Sequence, residues 1–199
     1  KLNCKVCQLV KLYKNGQPFK MSKRAGDFIS AQDLSNEVSK DAIRFMMLNR
    51  SNDVVLDFDF DKVKEKTKDN PVFYVQYAYA RINSITRSLN ISLKDKISIN
   101  SKTFNPNEYE EKIIRKIFEW PKIIESSAQK LEPHKIPFYL YELSTLFHSY
   151  WSKGNEDMNY RFIKNGKVKK KDSLAFIFLI AIVIKNGMNI LGVSLPKKM

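Results

Sequence analysis

The sequence predicts a mainly α-helical protein, in which a small α/β segment over residues 1–70 precedes a helical bundle over residues 71–199. An Asn15-Gly16 pair lies between short apolar runs. This pair favours the two-residue turn of a β-hairpin, because both positions tolerate a positive φ. From Asn70 onward, helix-starting residues recur before segments with a helical spacing of apolar residues. They are Asn70-Pro71, Pro106, Pro121, Pro133 and Asp172.

The composition excludes a disordered chain and predicts a polyanionic partner. Hydrophobic residues make up 43% of the 199 residues and aromatic residues 12%, which is enough for a folded core. The longest apolar run, 174–184, is shorter than the roughly 20 residues that cross a membrane, so it predicts a buried core helix. The net charge of +14 favours nucleic acid as a partner. A lysine-rich codon composition of the source organism is the alternative explanation of this charge.

The first residues predict a hairpin over 8–22, preceded by two cysteines. Cys4 and Cys7 have a spacing that can hold zinc, but His134 and His148 are remote from them in sequence. We therefore interpret the cysteines as small apolar residues in a strand and predict no metal site. Two cysteines without a disulfide framework predict a reducing, cytoplasmic setting. The chain begins within an apparent strand, so we expect it to be part of a longer protein.

Two short helices and an extended segment follow in the first seventy residues. Helices are predicted at 31–38 and, after the capping residue Ser39, at 40–48. Residues 53–61 alternate acidic and apolar side chains, which predicts an extended segment with one buried face rather than a metal site. Asp61 is expected to cap a charged helix over 61–69.

The bundle is predicted to contain five helices. The first, 71–89, carries apolar or aromatic residues on several sides and is expected to be partly buried all round. A polar loop over 90–106 follows, and Pro121 is expected to break the next helical stretch in two. The predicted spans are 71–89, 106–120, 121–131, 133–152 and 172–191, with a basic loop at 153–171 and Gly192 as the final stop.

A short basic stretch, Lys20-Met21-Ser22-Lys23, lies between the hairpin and the first helix. Two ammonium groups and a hydroxyl could stabilise negative charge on a pyrophosphate leaving group. Gly26 would let the backbone approach a ligand closely. A basic tetrapeptide is by itself a weak signal, and a solvated loop is its ordinary explanation.

A second candidate site is formed by aromatic and basic residues of the bundle. Tyr74, Tyr77 and Arg81 on one helix, with Tyr150 and Trp151 on another, could stack on unpaired bases. The alternative is that these aromatic side chains fill the core. His134 and His148 are interpreted as packing or surface residues rather than catalytic ones.

Several motifs together resemble bacterial arginyl-tRNA synthetases, a class I aminoacyl-tRNA synthetase family. The resemblance covers nearly the whole chain and is weak over residues 91–133. The matching stretches are 20–26, 41–45, 56–59, 70–81, 141–143, 147–148 and 185–199.

The resemblance implies a fold, substrates and site residues. Residues 1–70 would be the end of the catalytic domain and residues 71–199 a DALR-type anticodon-binding domain. The family joins arginine to its tRNA with ATP, and Mg²⁺ is expected with the ATP in the full-length enzyme. Lys20, Met21, Ser22 and Lys23 would contact the ATP phosphates, with Lys20, Ser22 and Lys23 in catalytic roles and Lys23 the strongest candidate. The residues expected to bind the tRNA are Tyr74, Gln76, Tyr77, Arg81, Tyr150, Trp151 and Met199.

The sequence departs from the family's pattern in one respect. The family's first signature, His-x-Gly-His, is absent, so we expect this chain alone not to aminoacylate tRNA. We expect a cytoplasmic monomer that binds the tRNA for arginine and no membrane. Two alternatives remain open: a stand-alone, non-catalytic RNA-binding helical module, and a structural interaction domain whose charge is only compositional.

Overall fold

The fold of the described residues consists of six α-helices and two small sheets. A computed structural model describes residues 2–19, 29–93, 95, 104–164, 167–168 and 171–199. The helices are α1 Ala31–Glu37, α2 Lys40–Leu48, α3 Pro71–Ser88, α4 Glu108–Lys130, α5 Lys135–Glu156 and α6 Lys171–Leu191. The strands are β1 Val10–Lys14, β2 Gln17–Pro18, β3 Leu56–Asp59, β4 Ile163–Lys164 and β5 Lys167–Val168. The prediction of a mainly α-helical fold after a small α/β segment is confirmed.

The first sheet has the strand order β2-β1-β3. The predicted turn joins β1 to β2, and Asn15 and Gly16 both have positive φ, of 53° and 71°. Strand β3 pairs in parallel with β1, with Leu12 opposite Phe58. Within the described residues the hairpin pairs from Tyr13 to Pro18, and positions 20–22 of the predicted hairpin, 8–22, lie outside the described residues.

The segment before β1 differs from its prediction. Cys4 and Cys7 are exposed and lie outside any strand. Leu2 and Val6 are also exposed, by 88% and 83%. The interpretation of the cysteines as small apolar residues in a strand is therefore wrong, because within the described residues β1 pairs with its neighbours only from Val10 onward.

The polar side chains around β3 stabilise turns rather than a helix start. The carboxylate of Asp59 accepts hydrogen bonds from the backbone N–H groups of Asp61 and Lys62, at 2.9 and 3.3 Å. Asp61 instead accepts from the N–H of Asn15 at 2.7 Å, which fixes the hairpin turn. The predicted Asp61 cap and the helix over 61–69 are thus wrong, since only a 3₁₀ turn forms, at Lys62–Lys64.

Helix α3 begins where the sequence predicts. The side chain of Asn70 accepts from the N–H of Phe73, and Pro71 occupies the first turn, where its missing N–H costs little. Buried residues occur on several sides of the helix, as expected. They are Val72, Val75, Ala78, Tyr79, Ala80, Ile82, Asn83, Ile85 and Thr86.

Helix α4 runs through Pro121 without a break, so the two predicted helices are one. Proline leaves the carbonyl of Ile117 without its helical donor, which costs about 3 kcal/mol in an isolated helix. Contacts with α5 offset this cost. Trp120 packs on Tyr139 with ring centroids 5.1 Å apart, and the Tyr139 hydroxyl donates to the carbonyl of Lys116 at 2.6 Å.

Three further details of the bundle differ from expectation. Phe118, whose helical spacing from Ile114 predicts burial, is 79% exposed. Helix α5 begins at Lys135 rather than Pro133 and extends to Glu156 rather than 152. The predicted loop at 153–171 contains a 3₁₀ turn at Met158–Tyr160 and the paired strands β4 and β5.

Helix α6 is apolar and packs against α2, α3, α4 and α5. By length and composition, Asp172–Leu191 could cross a membrane, but 67% of its most apolar window is buried inside the protein, which is typical of a core helix. Gly192 ends it with φ +65°. Gly192 and Val193 donate to the carbonyls of Asn189 and Met188 at 3.1 and 2.9 Å, which is the Schellman ending that a glycine permits.

The apolar core is continuous across the predicted boundary at residue 70. Phe45 and Phe58 belong to the same buried cluster as Val75, Leu143 and Ile177. The end of α6 adds a polar contact to this packing, because Arg44 of α2 donates to the carbonyl of Leu191 at 2.9 Å. The two parts are therefore packed on each other.

Candidate nucleic-acid interface

The candidate site is a cluster of aromatic side chains around one arginine, where α3 packs on α5. We call it the Arg81 cluster, and its members are Tyr74, Tyr77, Arg81, His148 and Trp151. Helix α3 contributes the first three residues because positions 74, 77 and 81 are three and four residues apart and so share one face. His148 and Trp151 are likewise three residues apart on α5.

Arg81 is held by hydrogen bonds and by aromatic rings. One terminal nitrogen is bonded to Nδ1 of His148 at 2.9 Å, and the other donates to the Tyr77 hydroxyl at 3.1 Å. The guanidinium carbon lies 4.2 Å from the centre of the Tyr77 ring and 5.3 Å from that of Trp151. Among the described residues, no carboxylate forms an ion pair with Arg81. A positive charge is thus presented between two aromatic rings.

His148 is buried beneath this arginine. Its Nε2 is bonded to the carbonyl of Tyr74 at 3.1 Å, and its ring lies 4.3 Å from the ring of Tyr74. Burial, reinforced by the neighbouring charge of Arg81, lowers the pKa of His148 to about 4. The imidazole is therefore neutral near pH 7.

A cavity adjoins the Arg81 cluster on the side of Trp151. Its volume is about 320 Å³, and its lining combines apolar, aromatic and basic side chains. Arg161 is fixed at its edge by donating to the carbonyl of Gly154 at 2.8 Å. Together, the cavity, the rings and the cations have the character of a surface that stacks on bases and holds phosphates.

Tyr150, a predicted RNA contact, lies away from this cluster. Only 3% of it is exposed, and its hydroxyl donates to Glu110 at 2.8 Å. Ser173 donates to the same carboxylate oxygen at 2.8 Å, and the N–H of Asn107 donates to the other at 2.9 Å. We call these four residues the Glu110 cluster. Burial, with the charge of Glu110, raises the pKa of the Tyr150 hydroxyl.

The other predicted RNA contacts are Gln76 and Met199. Gln76 bonds to the C-terminal segment, residues 192–199, and Met199 is its last residue. The Gln76 amide donates to the carbonyl of Ser194 at 3.0 Å. Asp41 of α2 accepts from both the N–H and the hydroxyl of Ser194. Met199 is 49% exposed at the end of this segment.

The predicted phosphate loop, Lys20, Met21, Ser22 and Lys23, lies outside the described residues. The structure describes its two flanks. Phe19 donates its N–H to the carbonyl of Leu12 at 2.7 Å, and Ser30 and Asp33 form a reciprocal cap on α1. Within the described part of the chain, no group of three or more His, Cys, Asp or Glu side chains could hold a metal ion.

The sequence predicted a packing or surface role for His148, which is buried, but it did not predict the bond of His148 to Arg81. The signal was its spacing, because His148 lies seven residues after Tyr141 and three before Trp151, on the face of α5 that meets α3. Tyr74 contacts both Tyr141 and His148, at 5.3 and 4.3 Å between ring centroids.

The chain is similar in sequence to curated arginine–tRNA ligases. An arginine–tRNA ligase of Pelagibacter ubique is 58% identical over all 199 residues, and one of Rhizobium etli is 45% identical over the whole chain. The chain spans about a third of the length of these curated relatives, at 34% and 35%.

Solved structures of arginyl-tRNA synthetases have the same fold. One from Campylobacter jejuni superposes with a TM-score of 0.82 at 27% identity, covering 97% of this chain and 40% of that one. The enzyme of Thermus thermophilus, at 20% identity, covers 97% of this chain and 35% of that one with a TM-score of 0.66.

A protein-family model described as the DALR anticodon binding domain matches residues 75–199. That match begins within α3, runs to the C-terminus and includes every member of the Arg81 cluster except Tyr74. The resemblance to arginyl-tRNA synthetases is confirmed, and the chain belongs to the DALR anticodon binding domain family.

Proposed function

We propose that the protein containing this chain is an ATP-dependent arginine–tRNA ligase, and that this chain binds the anticodon arm of the tRNA for arginine. The observation that carries the proposal is the Arg81 cluster, in which a cation lies between Tyr77 and Trp151 and pairs with no carboxylate of the described residues. The proposal is supported by the sequence similarity of the whole chain to arginine–tRNA ligases, at 58% and 45% identity.

Within this proposal, Tyr74, Tyr77, Arg81 and Trp151 contact the RNA directly. Partly buried rings beside a cation provide stacking surfaces for unpaired bases, worth about 1–3 kcal/mol per base. Met199 contacts the RNA from the end of the C-terminal segment. We assign structural roles to Tyr150 and Gln76, because their polar groups already bond to Glu110 and Ser194.

The ATP-handling part of the proposal concerns the loop at 20–23. Lys20, Met21, Ser22 and Lys23 would contact the phosphates of ATP. Of these, Lys20, Ser22 and Lys23 would stabilise their charge while arginine is activated. Mg²⁺ would accompany the ATP, and we assign no residue of this chain to it. We further propose a cytoplasmic monomer in which residues 1–70 belong to the catalytic domain and residues 71–199 bind the anticodon.

The test uses purified chain and tRNA transcripts. We expect the chain to bind the tRNA for arginine, with an affinity that falls steeply as salt is raised, because phosphate contacts release counterions. Tyr77→Ala should weaken this tRNA more than a non-cognate tRNA. Equal weakening of both would indicate lost packing or generic stacking and would contradict anticodon recognition.

Catalysis is tested separately by ATP–pyrophosphate exchange with arginine. We expect no exchange by the 199-residue chain, and exchange by the full-length protein that Lys23→Ala abolishes. An active 199-residue chain would contradict the proposed division of labour.

A stand-alone RNA-binding module is the second candidate function. It also accounts for the Arg81 cluster, but it does not account for the basic loop at 20–23 or for the match of residues 1–70 to ligases. A full-length protein that binds the tRNA for arginine without activating arginine would favour it.

A further inference from the structure

We infer that His148 is a positioning residue for RNA binding: it orients Arg81 through a neutral acceptor that leaves the charge of the arginine available to a phosphate. This inference rests on the proposed tRNA-binding function. It concerns a residue that contacts RNA only through Arg81, because only 5% of His148 is exposed.

The hydrogen bonds determine the tautomer of the imidazole. The Tyr74 carbonyl can only accept, so Nε2 of His148, 3.1 Å away, carries the hydrogen and donates it. In a neutral ring, Nδ1 then has a lone pair, and it accepts from Arg81 at 2.9 Å. A proton on Nδ1 would remove this acceptor and repel the guanidinium.

The surroundings of His148 keep it neutral. The titratable or charged groups that face it are Tyr74, Tyr77 and Arg81, all on α3, while Phe147 and Trp151 flank it on α5. Among these, Arg81 is the only charged group. The lowered pKa of His148, which burial mainly causes, follows from the same surroundings.

The choice of acceptor matters for the ligand. A carboxylate at this position would hold Arg81 equally well but would neutralise it, whereas an imidazole orients it without cancelling its charge. Among the described residues, the hydrogen bonds of Arg81 use two of the five N–H donors that an arginine has. The remaining donors and the full charge can therefore bind a phosphate of the RNA.

The test compares two substitutions of nearly equal shape. His148→Asn keeps a neutral oxygen acceptor, whereas His148→Asp offers an anionic one. We expect the affinity of the chain for the tRNA to stay within about threefold for His148→Asn and to fall about tenfold or more for His148→Asp. The slope of log affinity against log salt should fall by about one for His148→Asp, because one phosphate contact is lost.

Two further measurements separate positioning from mere packing. His148→Leu fills the space without an acceptor and should lower the affinity about as much as His148→Asp. In an Arg81→Met background, all three substitutions should have equal, small effects, since they act through the arginine. Circular dichroism and thermal unfolding check that each variant is folded.

The outcomes are distinct. A proton–nitrogen correlation spectrum of the imidazole should show hydrogen on Nε2 and none on Nδ1 at pH 7, and the opposite pattern would overturn the inference. Equal tRNA affinities of folded Asn, Asp and Leu variants would overturn it and leave the proposed function intact. Failure of the unsubstituted chain to bind the tRNA would overturn both.

Discussion

The Arg81 cluster and the Glu110 cluster each place a charged side chain against an aromatic ring of α5, but they differ in how fully that charge is hydrogen-bonded within the protein. The carboxylate of Glu110 is 1% exposed, and Asn107, Tyr150 and Ser173 satisfy it. Arg81 is only partly buried and keeps donors for a ligand. We infer that a buried charge whose partners all lie inside the protein stabilises the fold, whereas a charge with unused N–H donors, such as Arg81, is available to a ligand.

Helix geometry explains how one short stretch of α5 serves both clusters. Successive helical residues are separated by about 100°, so His148 and Tyr150 lie on nearly opposite faces, while Trp151 returns to the side of His148. Neighbouring aromatic residues in the sequence thus have opposite roles. Substitutions in the two clusters test this separation.

Glu110→Ala should have the largest effect on stability. It leaves the Tyr150 and Ser173 hydroxyls and the Asn107 N–H without their acceptor, which should lower the free energy of unfolding by about 4 kcal/mol. Urea unfolding followed by circular dichroism measures the change. Glu111→Ala, at the adjacent exposed position, is the control and should change stability by less than about 0.5 kcal/mol. Similar losses for both variants would contradict the role of the Glu110 cluster.

Acidification should destabilise the protein through His148. Its pKa is about 4 in the folded chain against 6.5 for the free side chain, so the unfolded state takes up the proton first. The neutral form of His148 thereby contributes about 3 kcal/mol to the free energy of unfolding. This contribution is present above pH 6.5 and is lost as the pH falls toward 4. Unfolding of the chain and of His148→Asn, compared at each pH, isolates this effect. A parallel pH dependence of the two proteins would contradict it.

Trp151→Ala should weaken tRNA binding more than it weakens the fold. Loss of a stacking surface costs about 1–3 kcal/mol of binding free energy, or roughly tenfold in affinity. Trp120→Ala is a matched control, because Trp120 packs on Tyr139 within the bundle. The control should lower the midpoint of thermal unfolding and leave the affinity of the folded chain unchanged. Weaker binding by the folded control would place RNA on α4 as well.

Tyr150→Phe should have the smallest effect. It removes one hydroxyl that donates to Glu110 and keeps the ring in the core, so stability should fall by about 1 kcal/mol. The affinity for tRNA should not change, as measured by fluorescence titration. Weaker tRNA binding by this variant would return Tyr150 to the set of RNA contacts.

Features set by local physical chemistry could be predicted from the sequence. The Asn15-Gly16 turn, the Asn70-Pro71 start of α3 and the Gly192 ending of α6 each depend on a few adjacent residues, and all three form as expected. Where distant contacts compete with a local preference, the prediction was wrong. Pro121 did not break α4, and the carboxylate of Asp61 accepts from the N–H of Asn15 in the hairpin turn instead of capping a helix.

By itself, the sequence determined the mainly helical fold, the hairpin that precedes the helices and the candidate residues of α3, because these follow from spacing and composition. Only the tertiary structure decided which side chains act together. It joined His148 to Arg81, separated Tyr150 from Trp151 and tied Gln76 to the C-terminal segment. The physical reason is that the face a residue presents depends on the helix packed against it, and that neighbour is distant in the sequence.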